Sequence, residues 1–423
     1  MLLFSACSLG GDASPVVKAI TIGVDLPLTG DEGRAGTSTL NGVRFFVSKH
    51  PTLDGYTIQI DARDDASPVV RDTAPGVKNL EAFIASGSLL AMIGPFDSNT
   101  ARAQIPIANR AHLAMVSPAT SNRCLTKEPL LPATLNPLRV AISCAAAGLP
   151  PPGDLRPTGV NNYFRLSTTD ELQGPAAADF GYGHLHLQRM AVLSDGEGYG
   201  QALADAFTSR FNKLGGTVVA HKDYNPTTSP DLTPFLQAAK MDGAQGIYFG
   251  GAASNKGCAV RQQMAPVFGP GEAAPLLGGD GIALDPTCVQ DAGTNAAGMF
   301  ATVPSLNVDS AAQAQPVIDA FKKHFGRTSD YGAYTMAAYD ATGIVYSAID
   351  RSIKAAGGNV PARDSVVAEL AATTSFAGVA GTFGFDPSGD TTRRVVSIFK
   401  SGLDPKAAWA WLDTVDYSTA LPY

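Results

Sequence analysis

One unit recurs along most of this chain: a short apolar run, a loop of small residues, then an amphipathic stretch of helical length. The apolar runs begin at Ala19 ("AITIGVDLPL"), Tyr56 ("YTIQIDARDD"), Leu89 ("LLAMIGPF"), Leu113 ("LAMVSPA") and Arg189 ("RMAVLSD"). Others begin at Thr217 ("TVVAHKDY"), Gly246 ("GIYFGG"), Pro275 ("PLLGGDG") and Gly298 ("GMFATVPS"). Between them lie helix-like segments such as "TSTLNGVRFFVSKH", "GQALADAFTSRFNKLG", "DLTPFLQAAKMDG" and "AAQAQPVIDAFKKHFG". Strands alternating with helices predict an α/β protein built on parallel sheets. Runs that stay apolar throughout, such as "LLAMIG", suit a sheet covered on both faces.

The rhythm breaks at residues 123–161, a Pro-rich stretch that reads as a surface excursion. Elsewhere the strand-like runs end in polar or Gly-rich loops: "LPLTGDEGRAG", "GPFDSNT", "SPATSN", "SDGEGYG", "GGAASNKG" and "GGDGIALDP". In open parallel sheets ligands sit beyond the carboxyl ends of the strands, where such loops lead into helix N-termini. The "GPFDSNT" loop illustrates two readings. Ser98 or Asn99 caps the following helix, or a hydroxyl and free backbone N–H groups converge on an anion. Pro106 lies within that helix and argues against assuming it is continuous.

With 423 residues the chain exceeds the size at which a single core stops growing, so two domains are expected. A net charge of −7 and the lack of any dense Lys/Arg cluster make nucleic acid an unsuitable partner. The body of the chain carries no apolar run of about 18 residues that would span a membrane. The N-terminal "MLLFSACSLGGDAS" is different. Its "LFSAC" resembles the lipobox of bacterial lipoproteins, which makes Cys7 the expected lipidation site, although no basic residue precedes Lys18. An extracytoplasmic protein, lipid-anchored or periplasmic, is expected. Export permits disulfides, and the remaining cysteines fall into two local pairs, Cys124 with Cys144 and Cys258 with Cys288. Free buried thiols and other pairings stay open at this level.

Catalytic and cofactor motifs find little support. GxSxG, HExxH, CxxC and Walker A patterns do not occur. "SDGEGYGQ" lacks the third glycine of a dinucleotide fingerprint, and His184 and His186 read more readily as a surface pair than as metal ligands. No cofactor and no enzymatic activity are expected.

Taken in order, "IGVDLPLTG", "LNGVRFF", "DDASPVVR", "GPFDSNTARAQIPIANRAHLAMVSPATSN", "FRLSTTDELQGPAAADF", "VLSDGEGYGQALADAF", "DLTPFLQAAKMDGAQGIYFGG", "GGDGI" and "YDATGIVYSAI" resemble the type I periplasmic solute-binding proteins of leucine/isoleucine/valine-type ABC importers. The resemblance runs from about residue 18 to about residue 400. It implies two doubly wound parallel-sheet lobes joined by three crossovers, with a ligand between them. Residues 18–165 plus 303–376 would form lobe 1, residues 166–302 plus 377–423 lobe 2, and residues 1–17 a leader remnant and tether.

The resemblance also implies site residues. The α-carboxylate of an amino-acid ligand would be held by Ser98, the Ala119 backbone and Ser121, its ammonium by Asp280, and Tyr199 would close over it from the second lobe. Hydroxyls and N–H groups suit a carboxylate leaving water, because they hydrogen-bond it without adding charge. Two departures bear on the side chain of that ligand. Ala252 and Ala253 stand where the family places an aromatic residue, and Ala35 stands at another aromatic position beside Arg34. They imply a wider or differently shaped pocket in which Arg34 could meet a polar or acidic group, suited to a bulkier amino acid or to a carboxylate such as an aromatic acid, with Asp280 favouring the amino acid. The expected partners are a small carboxylate ligand and a membrane permease, and the expected state is a monomer.

Overall fold

The structure is a computed structural model. It describes residues 18–30, 32–68, 72–128, 143–225, 228–283, 286–327, 330–402, 409–419 and 421–422. Cys7 lies outside the described residues. Two sheets organise the chain. The first contains β1 (Ala19–Leu26), β2 (Thr52–Leu53), β3 (Tyr56–Asp64), β4 (Leu89–Ile93), β5 (Ala114–Ser117) and β6 (Tyr163–Arg165), in the order β2-β3-β1-β4-β5-β6. The second contains β7 (Arg189–Ser194), β8 (Thr217–Asp223), β9 (Gly246–Gly250), β10 (Leu276–Gly278) and β11 (Met299–Val303). After a small hairpin of β12 (Phe376–Gly378) and β13 (Gly381–Phe383), that sheet is completed by β14 (Val395–Ser401) and β15 (Trp409–Asp416). Its order is β15-β14-β11-β10-β9-β7-β8.

Every apolar run read from the sequence is a strand in one of these sheets, and the neighbours among those runs pair in parallel. The sheets are nonetheless mixed. The short β2 pairs antiparallel to β3, and β14 and β15 add an antiparallel edge to β11. These strands lack the strand–loop–helix context that marks the others. β15 also carries exposed Trp411 and Leu412, so no clean apolar pattern announces it.

Helices cover both faces of each sheet, which is why the inner strands can be apolar on both sides. On β1, Ile20, Ile22, Val24 and Leu26 point into a core shared with Ile344, Val345 and Ile349 of the helix Thr335–Ala355. On the opposite side Gly23 leaves room for Phe83, which packs in a second core with Leu80, Met92 and Ile105. Asp25 also faces that side, where it is fully buried and accepts from Gln104 Nε2 at 2.5 Å and Asn79 Nδ2 at 2.7 Å.

The chain passes between the sheets three times, and the passages are hydrogen-bonded to one another. Thr168 N–H donates to Pro304 O at 2.7 Å and the Thr168 hydroxyl to Val395 O at 3.0 Å. Asn307 N–H donates to the Ser397 hydroxyl at 2.7 Å, which donates to Ser305 O at 2.8 Å. Behind them the buried Arg165 guanidinium pairs with Asp390 at 2.8 Å, and Lys127 reaches both Asp390 and Asp386. Lys127 belongs to the Pro-rich excursion, so part of that segment braces the crossovers instead of only lying on the surface. Phe383 and Phe385 pack in the core of the first sheet, so the last passage falls beyond Phe385 and not at residue 376, where the sequence placed it.

Both local cysteine pairs are disulfides, Cys124–Cys144 and Cys258–Cys288, with Cα atoms 5.7 Å and 5.1 Å apart. Closing loops with sequence separations of 20 and 30 residues is worth about 3 to 4 kcal/mol each by the loop-entropy relation. Replacing Cys258 and Cys288 together by Ser is therefore expected to lower unfolding free energy by about 3 kcal/mol. Urea denaturation checks this, and an unchanged midpoint would contradict it.

Candidate functional site

The loops at the carboxyl ends of the strands meet between the sheets. At the end of β4 the chain turns through Gly94 and Pro95 and enters the helix Ser98–Arg110. Asp97, not Ser98 or Asn99, caps this helix. It alone has the extended backbone of an N-cap, and its carboxylate accepts from Asn99 N–H at 2.7 Å and Thr100 N–H at 3.1 Å. Ser98 is already the first helical residue. Its buried hydroxyl is left to Asn122 N–H at 3.4 Å, in the loop after β5. Pro106 is accommodated within the helix, which continues past it to Arg110.

The neighbouring loop is internally held. The Ser117 hydroxyl accepts from Ala119 N–H at 3.3 Å and Thr120 N–H at 3.0 Å. Ala119 and Ser121 are both buried. Ser121 O accepts from Asp170 N–H at 2.9 Å, at the first turn of the helix Asp170–Asp179. Asp170 is 1% exposed, and burial pushes its carboxyl up to about 7, with the Ser121 hydroxyl opposing that shift.

Asp280, at the end of β10, is the most heavily partnered group of this region. Its Oδ1 accepts from the Tyr199 hydroxyl at 2.6 Å and from Gln173 Nε2 at 2.8 Å. Its Oδ2 accepts from the Tyr334 hydroxyl. Tyr199 stands at the start of the helix Gly198–Lys213, and its hydroxyl in turn accepts from Gly281 N–H at 2.9 Å. Burial raises the Asp280 carboxyl above its ordinary range, and the two phenols and the amide work against that rise. Burial together with the negative field of Asp280 and Asp170 raises both phenols well above their ordinary value, so they remain donors. No cation is among the hydrogen-bonding partners of Asp280 among the described residues, so its charge is held by neutral groups alone.

Tyr334 comes from the other side of the gap. It immediately precedes the long helix that packs on β1, and Thr335 ties that helix to the first helix of the chain through Ser38 O at 2.9 Å. Its ring meets Phe96, of the "GPFDSNT" loop, edge-on at 5.4 Å. Asn122 Nδ2 adds a second contact across the gap, donating to Gly198 O at 2.9 Å.

Ser98, Ser121, Tyr199 and Asp280 are thus linked through Asn122, Asp170 and Gly198 into one continuous region. Ala119 borders it, with its N–H directed to Ser117. Tyr199 and Ala252 line one cavity of about 590 Å³. Arg34 does not join them. It is exposed and lines a separate cavity of about 730 Å³, with Asp309, Tyr331, Trp409 and Trp411. The helix Gly33–Lys49 begins one residue before Arg34, which carries that side chain to the other flank of the gap. His184, singled out in the sequence, stacks on Phe180 at 5.5 Å, away from this region.

Gln173, Asp170 and Tyr334 were not assigned roles from the sequence. Asp170 sits in "TTDELQ", where an acid in the first turn reads as ordinary helix stabilisation. Nothing around Tyr334 marks it, and its partner is 54 residues away.

Residues 19–401 match the profile of the periplasmic binding protein family, and the chain belongs to that family. It is 25% identical over 393 residues to Leu/Ile/Val-binding protein homolog 3 of Brucella melitensis, covering 92% of this chain and 93% of that one. Against the Leu/Ile/Val-binding protein BraC3 of Rhizobium johnstonii it is 24% identical, over 92% and 93% of the two chains. Among solved structures, the leucine-binding protein LivK of Thermotoga maritima superposes with a TM-score of 0.74 at 22% identity, over 94% of this chain and 99% of that one. A solute-binding protein of an ABC transporter from R. palustris, in complex with 4-hydroxybenzoate, gives 0.72 at 17% identity, over 94% and 97%. LivJ of Streptococcus pneumoniae, in complex with isoleucine, also gives 0.72, at 19% identity over 94% and 100%. These structural likenesses establish the fold, two α/β units with parallel-dominated sheets.

The buried acids set the pH response. Asp170, raised to about 7, and Asp195, raised to about 6, mainly by burial, hold protons that the unfolded chain releases near 3.8. Between those values the folded state binds more protons, so stability falls as pH rises. Asp390 acts in the opposite sense. Burial resists its ionisation, but Arg165 and Lys127 prevail and hold its carboxyl below the ordinary range, so its contribution is lost only in stronger acid. The melting temperature of the ligand-free protein is expected to rise as pH falls from about 8 to about 5 and to drop again below about 4. Calorimetry across this range checks it, and a monotonic rise toward pH 8 would contradict it.

Proposed function

We propose that this protein is the extracytoplasmic substrate-binding component of an ABC importer, and that it captures a small carboxylate-bearing ligand, an amino acid, between its two units. One unit comprises the first sheet and the helices returning to it, the other the second sheet with its antiparallel edge. The observation that carries this reading is Asp280, whose carboxylate is shared by Tyr199 and Gln173 of the second unit and Tyr334 of the first. A carboxylate held only by neutral donors at such a seam is suited to an ammonium group, which would replace neutral dipoles by a full opposite charge. This favours an amino acid over a ligand such as the 4-hydroxybenzoate of the R. palustris structure, which has no ammonium to offer.

The carboxylate end of the ligand would face the hydroxyl of Ser98, at the positive end of its helix, and the hydroxyl of Ser121 in the neighbouring loop. Both ends of the ligand would then be held by groups from loops on either side of the gap. Ligand contacts spanning that gap stabilise the closed arrangement over an open one, and a membrane permease would recognise the closed monomer. The names of the Brucella and Rhizobium relatives support this reading. So does the Ser98 hydroxyl, which contacts a backbone N–H and not a base, an arrangement suited to binding and not to turnover.

A thermal-shift screen of amino acids and aromatic acids identifies the ligand, since a bound ligand raises the melting temperature by mass action. Replacing Asp280 by Ala is expected to cost an amino-acid ligand about 3 to 5 kcal/mol of affinity by leaving its ammonium buried and unpaired. Unchanged affinity in calorimetry would remove Asp280 from the site.

A further inference from the structure

The cavity lined by Tyr199 and Ala252 has a chemical character that an α-amino acid core leaves unused. Glu32, Asp65, Asp72 and Asp97 face it from the first unit, and Asp195 and Glu197 from the second. Among the described residues no Lys, Arg or His lines it. The nearby cation Arg102 interacts with Asp97 and Glu197 but is not part of the lining.

Several of these acids already serve the backbone. Asp97 caps its helix, and Asp72 accepts from the Ser67 hydroxyl at 2.9 Å and Ala74 N–H at 3.0 Å. Asp195 accepts from Glu197 N–H at 3.0 Å, Asn255 Nδ2 at 3.0 Å and Ala252 N–H at 3.2 Å. Asp65 is different. It follows β3, is 7% exposed, lines the cavity, and its Oδ2 has no hydrogen-bond partner among the described residues. A buried carboxylate oxygen without a donor is costly, and a cation arriving in the cavity removes that cost.

We propose that this flank is a subsite for a positively charged group, so that the ligand is an amino acid with a cationic side chain. The proposal rests on the amino-acid reading above and specifies its side chain. Acids from both units face one another across the gap, and Arg102 offsets only Asp97 and Glu197 among them, so bringing the units together raises the repulsion of the others unless a further positive charge lies between them. An ammonium or guanidinium group placed there meets Asp65 and draws acids of both units toward itself. The ligand-free state carries the corresponding penalty: burial, then the charges of Asp25, Asp97, Glu32 and Asp64, push the Asp65 carboxyl upward. Replacement of the expected aromatic walls by Ala252 and Ala253 gives a longer, hydrated side chain room to reach this flank.

Isothermal titration calorimetry of the wild-type protein with L-lysine, L-norleucine and cadaverine separates the contributions. Norleucine lacks the terminal ammonium of lysine, and cadaverine lacks its carboxylate. Lysine is expected to bind at least about tenfold more tightly than norleucine. Asp65→Asn, nearly isosteric and checked for an intact melting transition, is expected to abolish most of that ratio while leaving norleucine unchanged. Should this variant fail to fold, the wild-type lysine-to-norleucine ratio alone decides. Norleucine binding as tightly as lysine would overturn the cation subsite and leave the amino-acid reading standing. Cadaverine binding without either amino acid would uphold the subsite and overturn the carboxylate reading. Absence of binding by all three would overturn both.

Discussion

A single carboxylate, Asp280, sits where the two halves of this protein meet, and it is satisfied by dipoles instead of charges. Two phenols and a carboxamide supply its hydrogen bonds, one phenol coming from the far side of the gap. Such an arrangement keeps the acid soluble in the protein interior without neutralising it. Asp170 lies within its electrostatic reach, and burial, helped by the charge of Asp280, raises the Asp170 carboxyl.

The crossovers treat charge in the opposite way. Asp390 is paired with Arg165 and Lys127 in a buried network, and the three passages are stitched together by Thr168, Ser397 and their carbonyl partners. Breaking such a buried pair costs about 3 to 5 kcal/mol, so this part of the molecule resists local opening. The Cys124–Cys144 disulfide closes a loop within the excursion that carries Lys127.

Much of the fold was legible because parallel strands buried on both faces are written as continuous apolar runs. Runs such as "LLAMIG" and "GIYFGG" announce themselves without partners. β14 and β15 did not, since an antiparallel edge strand with one solvent face depends on tertiary context for its identity. Ser98 and Asp280 were legible as strand-end residues, and both lie in the loops after strands, β4 and β10. The site was obscured where two roles compete for one short motif: "FDSN" offers three capping residues, and only the backbone conformation assigns the role to Asp97. The position of Arg34, apart from Tyr199 and Ala252, was illegible for a related reason. Glu32 of its loop lines one cavity and Arg34 another, because which flank a residue at a helix start addresses is set by the helix direction, which no local pattern encodes. Tyr334 and the orphaned Oδ2 of Asp65 are properties of three-dimensional packing and had no sequence signal.

The central claim is that Asp280 binds the ammonium of a ligand whose carboxylate lies at Ser98 and the start of its helix. A crystal structure of the protein with the amino acid that most raises its melting temperature tests this directly. The account predicts the ligand nitrogen about 3 Å from an Asp280 oxygen and the carboxylate within about 3 Å of the Ser98 hydroxyl. A ligand seated elsewhere, or one whose carboxylate points toward Asp280, would contradict it.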